Sequence, residues 1–169
     1  NEGNEVISTL NETGYHRTSS EINNRNKISQ NTYGAVFEYH ENALNLGLII
    51  YQSNYSKAFI TDDSAYRLFN FTGKQLTNIG LHYNYTFKNI YFFGEMAKSL
   101  KGGNALMNGL LISLSNQVSM VVLQRHYEKN YHNFFNQAPA ESSGSNENGF
   151  YAGLNISPSK KWMLSLYAD

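Results

Sequence analysis

The residues best able to do chemistry are a thin set of ionisable side chains: Glu38, Glu95, Arg17, Arg125, His40, His82 and His126. Glu95 is the most informative. It sits between aromatic residues in a strand-like run, where a carboxylate facing an apolar medium is costly, so it must turn to a polar side and find a cation. Arg125 or Arg17 is the expected partner, in an ion pair that braces the structure. Glu38, His82, Asn78 and Asn84 alternate with apolar residues and are expected on the same polar side. None of these residues is expected to be catalytic.

Other chemistries find little purchase. The five histidines stand at no metal-ligand spacing: no HxxxH for a helix and no HxH for a strand. His126 and His132 read as rim or loop residues. Asp62 and Asp63 are adjacent, without the spaced oxygen ligands of a calcium loop. Gly-x-Ser-x-Gly is absent, and Ser113, Ser115, Ser119 and Ser165 have no base at a readable spacing. Gly102-Gly103 is followed by neither Lys-Ser/Thr nor a helix start, so it reads as a turn and not a phosphate cradle. With no cysteine, disulfides and zinc-thiolate sites are excluded. No cofactor is expected.

The elements that carry these residues have β period. From Thr32 onward, Tyr33, Ala35, Phe37 and Tyr39 alternate with Gly34, Val36, Glu38 and His40. Leu44, Leu46, Leu48 and Ile50 follow after a short turn. Ile79, Leu81, Tyr83, Tyr85 and Phe87 oppose Asn78, Gly80, His82, Asn84 and Thr86, and Lys88-Asn89 turns that strand into 90–100. Further strands are expected at 105–114, 118–127, 150–156 and 162–167. That makes about eight, joined by short turns at one end and by two long loops, 52–74 and 128–148, at the other. Residues 1–31 are polar and irregular, with one partial strand near Val6. Residues 32–169 form the hairpins.

Composition agrees with a wall that has one apolar and one polar face. Charged residues are only 15%, while Tyr (13) and Phe (10) dominate the aromatics. Basic and acidic residues balance, 13 against 13, which argues against a nucleic-acid groove on this chain. No helical membrane span is legible, and a barrel needs none, because its apolar face alternates residue by residue. Short turns on one side and long loops on the other, with strands of roughly ten residues, point to an antiparallel up-and-down transmembrane β-barrel or a fragment of one. The abrupt opening at Asn1 and the stop in a strand-like segment at Asp169 read as truncation. A soluble barrel binding an apolar ligand, or an outer-membrane hydrolase with a rim site, are the alternatives.

Several motifs together resemble a family of Bacteroidota outer-membrane β-barrels from helix-hairpin-helix domain-containing proteins. They are Thr13-Gly14-Tyr15-His16-Arg17-Thr18 with Glu21, Phe93-Gly94-Glu95, Gly102 through Gly109, Arg125-His126-Tyr127, Asn146 through Gly153, and Trp162 through Asp169. The resemblance implies an outer-membrane barrel of a Gram-negative bacterium, and with no catalytic constellation legible the chain is expected to be non-enzymatic: a channel, an anchor or a subunit of an envelope assembly. Its partners would be outer-membrane lipid and envelope proteins. Nucleic acid would be reached only through a module that none of these residues forms.

Overall fold

The structure, a computed structural model, describes residues 6–7, 15, 17–61, 64–135 and 144–169. Its elements are β1 (Val6–Ile7), α1 (Ser19–Asn23), β2 (Gln30–Glu41), β3 (Leu44–Phe59), a 3-10 turn at Ala65–Arg67, β4 (Gly73–Phe87), β5 (Ile90–Ser99), β6 (Asn104–Ser115), β7 (Val118–Tyr127), β8 (Glu147–Ser159) and β9 (Trp162–Ala168). Strands β2 to β9 pair antiparallel in chain order, each with the next. The two residues of β1 add in parallel beside Ala58 and Phe59 of β3. The fold is therefore all-β, eight up-and-down strands in one sheet. That sheet is not closed: among the described residues nothing pairs with the outer edge of β9 or joins it to β2.

Four two-residue turns lie at one end. Asn42 and Lys88 take left-handed backbone there (φ 51° and 53°), which lets these hairpins reverse in two residues. The opposite end carries the connections at 60–72, 100–103 and 128–146. The expected loop at 52–74 is corrected to a shorter one, because β3 runs on to Phe59 and β4 begins at Gly73. Gln52, Ser53 and Asn54 are polar and look like loop residues. They are held in the ladder by pairing with Thr77, Leu76 and Gln75, and the Gln52 amide donates to Asn54 at 2.9 Å. The fourth turn is Lys160-Lys161, two residues later than the Pro158 region suggests. Asp62 and Asp63 lie outside the described residues.

Helix α1 is an element the β-pattern reading passed over. Thr18 caps it, accepting from the Glu21 N–H at 3.2 Å, while the Glu21 carboxylate accepts from the Thr18 N–H at 3.1 Å. This reciprocal capping box stabilises a single helical turn before the sheet.

Register makes the two faces explicit. Ala35, Phe37 and Tyr39 on β2 align with Ile50, Leu48 and Leu46 on β3, and these with Ile79, Leu81 and Tyr83 on β4. The apolar face continues through Phe92, Met96, Leu110 and Leu154 to Leu164 and Leu166. Its side chains have no second layer against them: Phe37 is 64% exposed, Leu81 38% and Leu166 52%. On the other face Ser53, Asn78 and Ser99 are almost fully buried. Over most of the sheet the large apolar residues are thus the exposed ones, and the buried apolar residues are confined to two small clusters at one end.

Candidate functional site: the polar face and its folded loop

The polar face is covered at the long-loop end by residues 128–135, which leave β7 and fold across it. Gly102 and Gly103 permit the approach. A Cβ on Gly103 would stand 2.4 Å from Asn130 Oδ1 and 2.8 Å from the Tyr131 nitrogen, so only glycine leaves room. The Gly103 N–H donates to the Asn130 carbonyl at 2.7 Å. The loop then reaches β5, where the Ser99 hydroxyl lies 2.7 Å from both Asn78 Oδ1 and the His132 carbonyl and accepts from the His132 N–H at 3.0 Å. One hydroxyl proton serves either acceptor, so the three groups form a shared junction. Further on, Tyr51 of β3 donates to Asn133 Oδ1 at 2.9 Å and accepts from Asn78 Nδ2 at 2.8 Å.

Apolar contacts finish the docking. Tyr131 buries with Tyr127 and Ala105, and Ala97 packs against them. Phe134 joins Tyr55, Phe59 and Phe71, stacking on Phe59 with centroids 5.9 Å apart. Burial pushes the Tyr131 phenol up and the His132 imidazole down, since each charged form loses water. At the loop's root Glu128 is held below the usual carboxylate range by hydrogen bonds from the Asn104 backbone (2.8 Å) and side chain (3.1 Å).

Of the residues expected on the polar side, Glu38, Asn78, His82, Asn84, Glu95 and Arg125 stand on this face and Arg17 does not. Glu38, His82, Glu95 and Arg125 share one register row with Gly47 and Met107. His82 needs that glycine, because a Cβ on Gly47 would fall 2.0 Å from its ring. Glu38 meets His40 Nε2 at 3.3 Å. His40 Nδ1 contacts Asn45 Oδ1 at 2.5 Å, and Asn45 donates to Asn84 at 2.6 Å. This chain crosses three strands near the short turns. Asn78 belongs to the Ser99 junction.

Two expectations are corrected. Arg125 does not pair with Glu95: its guanidinium bonds Glu147 through Nε and Asp169 through Nη2 at 2.9 Å, lying over Gly149. Glu95 is separated from it by Met107 and so by two strand spacings, roughly 10 Å. Arg17 is not on the face at all. It precedes α1, its N–H donates to Glu21 at 2.6 Å, and its guanidinium lies 4.2 Å from the Tyr15 ring centroid. His126 alternates onto the other face and does not meet His132. Among the described residues no three metal-ligating side chains converge.

The sequence reading missed Tyr51, Ser99, Asn133 and Glu147. The signal for Tyr51 and Ser99 was their parity with Asn78; nothing local marked Asn133 or Glu147. Comparison with known protein families, with curated proteins and with solved structures found no match.

Proposed function

We propose that the chain forms part of the wall of an outer-membrane β-barrel, a non-enzymatic envelope protein whose apolar face meets acyl chains and whose polar face looks into the interior. The observation that carries this reading is the uncovered apolar face: rows of Leu, Ile, Phe and Tyr stand exposed while Ser53, Asn78 and Ser99 on the opposite face are buried. In water such an apolar surface would far exceed what a monomer normally exposes. In a bilayer it is the natural outer surface of a β-barrel, flanked by Tyr39, Tyr85 and Phe87 near the turn end as an aromatic girdle. The free edges of β2 and β9 must then be paired, because unpaired backbone groups are costly in lipid. Residues 128–135 obstruct the long-loop mouth, which favours an anchor or a constricted channel over an open pore.

The chain has no cysteine, so single cysteines can be introduced at Leu81 and His82 as unique labelling sites. A fluorophore at 81 should be quenched by brominated acyl chains and shielded from aqueous iodide, and one at 82 should behave in reverse. Iodide quenching at 81 without bromolipid quenching, or a chain that stays monodisperse without detergent, would overturn the reading.

A further inference from the structure

A cleft of about 470 Å³ opens at the long-loop end, between the 68–72 segment, the 100–102 turn, Asn130 and His132. That volume lies in the range of small-molecule sites, roughly 300–1,000 Å³. The buried Leu76 and Ser99 side chains close it below, and the rings of Phe69 and Phe71 flank it. A Cβ on Gly73 would meet nothing within 4 Å, so the space over the start of β4 is open.

The lining is cationic. Lys74 and Lys101 belong to it, and among the described residues no aspartate or glutamate does. Neither lysine has an acidic partner among those residues. Lys129 adds a third ammonium group, 5.5 Å from the Phe69 ring centroid. Hydrogen-bonding groups are also uncommitted. The His132 imidazole meets Phe71 at 5.9 Å between centroids, and neither it nor the side-chain amides of Asn70 and Gln75 makes a hydrogen bond among the described residues. The Gly102 and Gly103 N–H groups already donate to the Ser99 and Asn130 carbonyls, at 2.9 and 2.7 Å, so recognition falls to side chains.

We propose that this cleft binds a small organic anion, a carboxylate or phosphate carried on a ring. The lysines supply the opposite charge as compact, flexible donors. The amides and the imidazole supply direction. Phe69 is 47% exposed and offers a flat apolar surface that an inorganic anion could not use. The ligand arrives from water, because Leu76 and Ser99 share the polar face with Asn78, away from the exposed leucine and phenylalanine rows. A failure of the lipid reading would therefore leave the site standing.

The test titrates phenyl phosphate into the full chain in neutral-detergent micelles at pH 7 and constant ionic strength, by calorimetry. Saturable one-site binding is expected, at least tenfold tighter than that of inorganic phosphate. Lys74→Gln combined with Lys101→Asn should weaken it at least tenfold; asparagine suits the left-handed backbone at 101 (φ 69°). Phe69→Leu should weaken phenyl phosphate and leave inorganic phosphate unchanged. Lys161→Gln, in a turn at the opposite end, should change neither. Each of these side chains is exposed, so the sheet should survive every change. Absence of saturable binding, equal affinity in the double variant or in Phe69→Leu, an equal loss in Lys161→Gln, or equally tight inorganic phosphate would overturn the proposal. So would displacement of phenyl phosphate by phosphatidylglycerol doped into the micelles, which would make the ligand a lipid headgroup.

Discussion

At the long-loop end Tyr55, Phe59 and Leu76 bury against one another, and residues 128–135 fold down over the polar face beside them. At the short-turn end Tyr39, Tyr85 and Phe87 stand on the surface, each at least 40% exposed. Every buried apolar residue among those described belongs to one of two small clusters at the loop end. The rest of the sheet is a single layer held by its ladder. One end thus carries its own core, while the other depends on whatever covers its apolar face. The difference follows from chain length at the two ends: a two-residue turn has no side chains to spare, and the long connection after β7 does.

Breaking the loop-end core should have the largest effect. Phe59→Ala removes a buried ring that packs on Tyr55, Phe71 and Phe134 and should cost about 3–5 kcal/mol of local stability. Amide exchange in 128–135 should accelerate while the turn-side half of β4 and β5 stays protected. Uniform acceleration would mean that the two ends are one cooperative unit.

The opposite perturbation is Leu81→Arg on the exposed apolar face. If that face meets lipid, a charge near mid-bilayer should cost about 2–4 kcal/mol of folding into vesicles. Its neighbour His82→Arg, on the polar face, should cost less. Equal behaviour of the two variants in a vesicle refolding titration would remove the distinction between faces.

Gly103→Ala is finer. Its Cβ would strike Asn130 and Tyr131, so the loop must lift, at about 1–3 kcal/mol. Proteolysis within 128–135 should rise with the sheet intact by circular dichroism.

The smallest effect is pH-linked. Burial lowers the His132 pKa below its ordinary 6.5, so the undocked loop binds the proton more readily than the docked one. This contribution to docking is fully present above about pH 6.5 and is lost as pH falls below it. Glu128 acts in a separate window. Its lowered pKa adds stability above about 4.5 that is lost as pH falls through its folded value. Between pH 6.5 and 5, loop exposure followed by exchange should therefore depend on His132 and vanish in His132→Leu.

The sequence made much of the sheet legible. Period-two alternation in 32–51 and 78–87 set strand and face together, since a one-residue slip would exchange the faces. The two-residue turns at Asn42 and Lys88 made those hairpins local. Alternation failed at Gln52–Asn54, where both faces are polar and the pattern carries no information, and at α1, whose Thr18–Glu21 spacing was readable as a capping box. For the candidate site, parity placed Glu38, Asn78, His82, Asn84, Glu95 and Arg125 on one face. It could not say which acid meets Arg125.

The alternating residues and tight turns by themselves determined that this chain forms antiparallel hairpins with one apolar and one polar face, because strand geometry fixes side-chain direction at every second residue. Only the tertiary structure decided that Arg125 reaches Glu147 and Asp169 instead of Glu95, and that residues 128–135 fold over Ser99 and Tyr51. Those contacts join residues 22 to 82 positions apart, and their geometry depends on strand register and on the space left by Gly103 and Gly149.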